Sequence, residues 1–141
     1  QNVAPRLIPL LQKNDVVDIF VFGHSNRAEA FLLSGIPYYL IRKIRLVYNS
    51  GCEDGGRYSA EEWLRLGVHS FVGHAKVSWS PLFVPRFLKN WFYGLRLGDS
   101  VSVANRELYS DPILAPLALI GLKKPIQGTM AEFYGNGLLN F

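Results

Sequence analysis

The sequence predicts an α/β fold, a three-layer sandwich in which helices cover both faces of a mainly parallel sheet. Short apolar segments typical of strands alternate with segments whose apolar residues recur at helical spacing. The strand segments are apolar on both faces, as in parallel sheets that helices cover on both sides. With 141 residues, 49% of them hydrophobic, the chain is long enough for one core, so we treat 1–141 as a single domain.

The first half of the chain predicts two helices and two strands. A short helix is expected at 5–13, followed by an apolar strand at 16–22. A second helix is expected at 28–33, where Gly35 and Pro37 then break the pattern. The second strand covers 44–48 and leads into the segment Asn49-Ser50-Gly51-Cys52.

A third helix and a third strand follow in the same alternation. Ser59 as N-cap and Glu62 three residues later form a capping box that opens the helix, and Gly67 ends it. The strand is predicted at 68–74. A longer helix then starts at Ser80, and four apolar residues on one of its faces recur at four-residue steps. They are Phe83, Phe87, Trp91 and Leu95.

The last part of the chain predicts one more helix and one more strand. Asp99 is expected to cap a helix at 100–109, and 113–121 is predicted as a terminal apolar strand. Strands and helices in alternation imply right-handed crossovers between parallel strands. The sites of such sheets lie at the carboxyl ends of the strands.

Composition excludes several classes of protein. The formal net charge is +4, but no block of like charge occurs, so we expect no nucleic-acid partner. The longest apolar run is too short to cross a membrane. The one cysteine excludes an internal disulfide and a zinc cluster, and we expect no cofactor and no metal. For localisation we slightly favour the cytoplasm, and a processed or exported fragment is the alternative.

Two residues at strand ends are the candidate catalytic pair. His24 follows the first strand and Cys52 follows the second, 28 residues later. One intervening helix makes these strands neighbours about 5 Å apart, which brings imidazole and thiol together. A free thiol is mostly protonated at neutral pH, and a nearby imidazole lowers its pKa. The alternative is a small buried cysteine without chemical function.

Ser25 offers a different catalytic reading. The segment Gly23-His24-Ser25-Asn26-Arg27 nearly matches the G-x-S-x-G turn that carries the nucleophile of α/β serine hydrolases. Arg27 stands where that motif has glycine. The order of acid and histidine that should follow the serine is met only by Asp54 with His69 or His74, which makes this reading the less favoured one.

The segment "VYNSGCEDG" resembles the cysteine motif of caspase-like peptidases, the group that includes the CHAT, separase and gingipain branches. That motif is a strand ending in Ser-Ala-Cys-Glu-Thr-Gly, and this chain has Gly51 for the alanine and Asp54 for the threonine. The segments that follow resemble the family in the same order. They are "EEWLRLGVHSFVGHAKVSW", "FLKNWFYGLRLGDSVSVANRELY" and "DPILAPLALIGL".

The resemblance implies a caspase-haemoglobinase-like fold with His24 as general base and Cys52 as nucleophile. Residues in the two loops, Gly23, Ser25, Gly51 and Glu53, are then expected around the oxyanion, and His74 and Trp79 are expected to line the substrate cleft. His74 can equally be a hydrogen-bonded structural histidine. The family has glycine directly after the histidine, where this chain has Ser25, and it has strands before the histidine strand that this chain is expected to lack.

The predicted function is hydrolysis of peptide bonds in a protein or peptide substrate by a His-Cys dyad. Two alternatives remain: a catalytically silent caspase-like interaction module, and a serine hydrolase that uses Ser25. A sheet that lacks its first strands exposes an apolar edge, which is expected to favour association with another chain.

Overall fold

The structure is a computed structural model that describes residues 3–23, 30–51, 56–76, 80–112 and 129–141, with the single positions 116 and 127. These residues form an α/β domain with a four-stranded mixed sheet. The helices are α1 (Ala4–Lys13), α2 (Tyr38–Ile41), α3 (Arg57–Leu66), α4 (Ser80–Phe92) and α5 (Leu97–Tyr109), and a 3-10 turn covers Ala30–Leu33. The strands are β1 (Val17–Val21), β2 (Ile44–Asn49), β3 (Ser70–Gly73) and β4 (Glu132–Gly135).

The described strands lie in the order β1-β2-β3-β4. β1 pairs parallel to β2, and β2 pairs parallel to β3, as the alternation of strands and helices predicts. β4 pairs antiparallel to β3, with Phe71 opposite Tyr134. Three parallel strands therefore carry their carboxyl ends to one edge of the sheet, and β1 lies at the end of the strand order.

One face of the sheet packs against α4 and α5 through an aromatic stack. Tyr48 of β2 stacks on Phe83 at a ring-centroid distance of 6.2 Å and an interplanar angle of 7°. Phe83 stacks on Phe87, and Phe87 stacks on Trp91, at 5.7 and 6.3 Å. All four rings are fully buried. The four-residue spacing of α4 therefore builds a continuous column of rings, and Phe83, Phe87 and Trp91 all lie in the core.

The other face packs against α1, α2, α3 and the 3-10 turn. Val47 of β2 and Phe71 of β3 point to this side, in a cluster with Leu11 of α1, Leu40 of α2 and Trp63 of α3. Leu46, Tyr48 and Val72, their neighbours along the strands, belong to the aromatic side. Alternate strand residues thus serve two cores, which is why these strands are apolar on both faces.

An irregular register between β1 and β2 places a charged pair against the aromatic stack. Val17 is opposite Ile44, but Asp18 is opposite Leu46, so Arg45 is the extra residue of a bulge. The Arg45 guanidinium binds both carboxylate oxygens of Asp18, donates to the Asn140 carbonyl at 2.8 Å, and lies 5.1 Å from the centre of the Trp91 ring. The bulge therefore ties β1, β2, α4 and the C-terminal residues together.

Several predicted boundaries need correction. The predicted capping box at Ser59 and Glu62 is wrong, because α3 starts at Arg57 with Gly56 as its N-cap. Asp99 does not cap α5, which starts two residues earlier at Leu97. The predicted strand at 113–121 lies outside the described residues apart from position 116.

Two short elements were not predicted. They are α2 and β4, of four residues each. The end of α3 matches the prediction, since Gly67 has φ 109°, a left-handed conformation that favours glycine.

Candidate active site at the carboxyl ends of the parallel strands

The carboxyl ends of β1, β2 and β3 lead into the three loops that carry the predicted site. The predicted residues His24, Ser25, Cys52, Glu53 and Trp79 lie outside the described residues. Gly23, Gly51 and His74 are described, and each lies within two residues of the end of its strand. The structure therefore describes the residues that precede His24 and Cys52, as far as Gly23 and Gly51.

Ser50 joins the ends of β1 and β2 through two hydrogen bonds. Its N–H donates to the Val21 carbonyl at 3.0 Å, which continues the parallel ladder by one step. The next bond of a regular parallel pair runs from the Gly23 N–H to the Ser50 carbonyl. Here the Gly23 N–H instead donates to the Ser50 side-chain oxygen Oγ at 3.2 Å. The hydroxyl thus replaces the main-chain carbonyl as the last acceptor of the ladder.

Asn49 shapes the turn that follows β2. Its side-chain oxygen Oδ1 accepts a hydrogen bond from the Gly51 N–H at 2.7 Å, two residues along the chain. This is an Asx turn, in which a side chain takes the role of a main-chain carbonyl and redirects the chain. Asn49 is buried at 1% exposure, so the turn is fixed inside the protein and not in solvent.

The N–H groups of Gly23 and Gly51 both take part in these bonds. Each donates to a side chain of the protein, Gly23 to Ser50 and Gly51 to Asn49. The expected place of these two glycines around an oxyanion stays a prediction.

His74 lies at the end of β3 and is fully buried. Its Nε2 lies 2.8 Å from the Tyr48 hydroxyl, and its ring meets Phe83 edge-on at 5.3 Å. Its Nδ1 makes no hydrogen bond within the part of the chain that the structure describes. Its burial and its bond to Tyr48 favour the structural role for His74, and its expected place in the substrate cleft stays a prediction.

Burial governs the protonation of this pair. Desolvation lowers the pKa of His74 to about 4. The main-chain groups of Met130 and Thr129 nearby have a smaller effect, which raises this pKa. Desolvation also raises the pKa of Tyr48. At neutral pH both groups are therefore uncharged. A buried imidazole whose pKa is about 4 and whose Nε2 already bonds to Tyr48 is a weak proton acceptor for a substrate or a thiol.

His69, the other described histidine, is exposed and lies 2.8 Å from the Arg42 carbonyl through Nε2. It precedes β3, whereas His74 follows it, so the two rings do not share a site. Across the described ranges, no group of three or more His, Cys, Asp or Glu residues could hold a metal ion.

Two residues of this edge, Asn49 and Ser50, were not predicted to take part in the site. Their signal in the sequence is the Asn-Ser-Gly segment at the end of an apolar strand, because Asn and Ser side chains bond to nearby main-chain groups and glycine permits the turn. The arrangement they create holds the main chain at the residues immediately before His24 and Cys52. Such a frame can fix two catalytic side chains in one geometry.

Comparison with protein-family models gives no match, and comparisons with curated proteins and with solved structures give none either. Among the helices in the described parts of the chain, none has the length and apolar character needed to cross a membrane.

Proposed function

We propose that this chain is a cysteine peptidase, with Cys52 as nucleophile and His24 as general base. One observation supports the pairing above the others. Gly23 and Ser50, which follow two adjacent parallel strands, are joined by a hydrogen bond. His24 comes one residue after Gly23, and Cys52 comes two residues after Ser50, so the bond joins the two chain segments that lead to the proposed pair.

The chemistry follows from these two groups. His24 takes the proton of the Cys52 thiol, and the thiolate attacks the carbonyl carbon of the scissile peptide bond, forming a carbon–sulfur bond. The protonated imidazole then gives its proton to the leaving amine as the carbon–nitrogen bond breaks. A water molecule then gives a proton to His24 and attacks the thioester carbon. The carbon–sulfur bond breaks, the carboxylic acid leaves, and the protonated imidazole returns its proton to the sulfur.

The finer architecture belongs to the same proposal. A caspase-haemoglobinase-like fold is a three-layer sandwich around a mainly parallel sheet. Its support is that the described sheet has three parallel strands in sequence order and that helices pack against both of its faces. The burial of His74 supports His24 as the base, because burial makes His74 a weak proton acceptor and its Nε2 already bonds to Tyr48.

Labelling of the thiol tests the proposal. The chain has a single cysteine, so any alkylation by iodoacetamide or an acyloxymethylketone reports on Cys52 alone. We expect rapid labelling of the folded protein at pH 7, because an imidazole partner raises the thiolate fraction from the few per cent of a free thiol. His24→Ala should lower the labelling rate by roughly tenfold. Peptide-library cleavage that Cys52→Ala abolishes then identifies the substrate preference.

His69→Ala is the matched control, because this exposed histidine lies at the opposite end of β3. It should leave labelling unchanged. A thiol that stays unlabelled until the protein unfolds contradicts the proposal and favours the silent interaction module. A rate that falls equally in both histidine variants also contradicts it.

The expected association with another chain through the sheet edge is a separate prediction. β1 lies at the edge of the described sheet, and all five of its residues are only half-buried. Sedimentation velocity over a hundredfold range of concentration tests it, and a monomer throughout contradicts it.

A further inference from the structure

The hydroxyl of Ser50 is the link between the two loops of the proposed dyad. It accepts a hydrogen bond from the N–H of Gly23, and so joins the residue after β2 to the second residue after β1. Ser50 is buried at 6% exposure, so water competes weakly for this bond. Its main-chain N–H simultaneously holds the Val21 carbonyl at 3.0 Å. Ser50 therefore makes hydrogen bonds to the two residues that flank Phe22, through its N–H to Val21 and through its hydroxyl to Gly23.

The use of a hydroxyl in place of a carbonyl has a geometric consequence. A regular ladder would require the Ser50 carbonyl to point toward β1, which would keep the chain after Ser50 in strand conformation. Because Oγ accepts the bond from Gly23, the main chain is free to turn at Gly51, and the Asn49 side chain completes that turn. Ser50 therefore continues the pairing with the β1 segment as far as Gly23 without using its own carbonyl.

We propose that Ser50 is a positioning residue that couples the His24 loop to the Cys52 loop and thereby sets the thiolate character of Cys52. This inference rests on the proposed dyad. Ser50 does not touch the substrate in this role; it acts through the main chain of Gly23 and Gly51. Without its hydroxyl, the Gly23 N–H loses this partner, and the chain segment that leads to His24 is no longer tied to the one that leads to Cys52.

The pH dependence of Cys52 alkylation tests the coupling. The rate constant for iodoacetamide, measured from pH 5 to 10, gives the apparent pKa of the thiol. We expect Ser50→Ala to move this pKa upward toward the roughly 8.5 of a free thiol and to lower the rate at pH 7 by about tenfold. In combination with His24→Ala it should cause no further change, since both act on the same interaction.

Ser70 supplies a matched control. It is also a buried serine, and its hydroxyl donates to the Asn136 carbonyl at 3.0 Å. It is the first residue of β3, a central strand, and so lies at the opposite end of the strands from the dyad loops. Ser70→Ala removes a comparable hydrogen bond and should leave the alkylation profile unchanged. An equal shift in both variants would assign the effect to general loosening of the fold and overturn the inference.

A second pair of variants keeps the test valid if Ser50→Ala unfolds. Ser50→Thr and Ser50→Val have nearly the same shape, but only threonine keeps the hydroxyl. We expect the threonine variant to retain the low thiol pKa and the valine variant to lose it. Equal profiles for the two overturn the role of the hydroxyl.

The outcomes separate this inference from the proposed function. If His24→Ala raises the thiol pKa but Ser50→Ala does not, the dyad stands and the role of Ser50 is wrong. If His24→Ala leaves the pKa unchanged, the dyad itself is wrong, whatever the Ser50 variants do.

Discussion

The ends of β2 and β3 lie side by side at the same edge of the sheet, yet their polar residues do opposite things. At the end of β2, Asn49 and Ser50 use their side chains to hold main-chain N–H groups and to direct the chain onward. At the end of β3, His74 turns inward and bonds to Tyr48 beneath a cover of aromatic rings. The polar side chains at the end of β2 bond to nearby main-chain groups, whereas the histidine at the end of β3 is buried in the core.

This difference shows that position at a strand end is not sufficient to identify a catalytic group. Parallel topology brings His74 to the same edge as the positions before His24 and Cys52. Burial then decides its chemistry, because desolvation keeps the imidazole neutral. Changes beneath β3 should therefore affect stability, and changes at the ends of β1 and β2 should affect reactivity.

The largest expected effect on stability is in the aromatic stack. Phe87→Ala removes a fully buried ring between Phe83 and Trp91, and should lower the free energy of unfolding by about 3–5 kcal/mol. Phe92→Ala in the same helix is the control, because that ring is 56% exposed and should cost much less. Urea denaturation followed by circular dichroism measures both, and equal losses would contradict the described packing.

The next largest expected effect is a loss of stability in acid, caused by the buried His74. The folded-state pKa of about 4 lies below the ordinary 6.5, so the unfolded chain binds more protons between these pH values. This contribution to stability is complete above pH 6.5 and is lost as the pH falls toward 4, by about 3 kcal/mol at most, at about 1.4 kcal/mol per pH unit.

His74→Gln isolates that contribution, because glutamine can still bond to the Tyr48 hydroxyl but does not titrate in this range. The difference in unfolding free energy between wild type and variant should change with pH between 6.5 and 4, where the wild type loses more stability. A difference that is constant over this range would mean that His74 titrates normally in the folded protein.

The smallest expected effect is at Ser25. If the dyad carries the chemistry, Ser25→Ala should leave the labelling rate of Cys52 within about twofold of wild type, whereas His24→Ala reduces it. Rates measured by intact-mass spectrometry at pH 7 compare the two directly. A labelling rate that falls in Ser25→Ala but not in His24→Ala would instead favour the serine-hydrolase hypothesis.

Much of the fold follows from local sequence pattern. The apolar segments of β1, β2 and β3 and the four-residue repeat of α4 predict these elements within two residues, except that Leu95 lies beyond the end of α4. These predictions hold because the apolar positions in each pattern are the ones that the fold buries. β4 and α2 were not predicted, because four residues are too few to show a periodic pattern. In addition, β4 is defined by its pairing with β3, which lies more than fifty residues earlier in the sequence.

The start of α5 shows why capping predictions fail. Asp99 is a good N-cap by type, but the first N–H groups of the helix are satisfied by the C-terminal segment. Leu97 donates to the Leu139 carbonyl at 2.7 Å and Gly98 to the Gly137 carbonyl at 3.0 Å. Distant carbonyls thus take the place of a local side chain, and no local pattern reports them.

The candidate site was only partly predictable for the same reason. Parallel neighbours for the strands before His24 and Cys52 follow from the alternation of elements. The burial of His74 does not, because it depends on rings contributed by β2 and α4. The ladder bond from Gly23 to Ser50 also depends on register, and sequence alone leaves register open.

The proximity of positions 24 and 52 is the central claim, and a disulfide between them measures it most directly. His24→Cys gives a chain with two thiols, which can bridge without backbone movement only if their Cα atoms lie within about 7 Å. Ser102→Cys, on the exposed side of α5, is the control. We expect mild oxidation to close the bridge intramolecularly in the His24 variant and not in the control. Two free thiols in the folded, oxidised His24 variant would contradict the dyad.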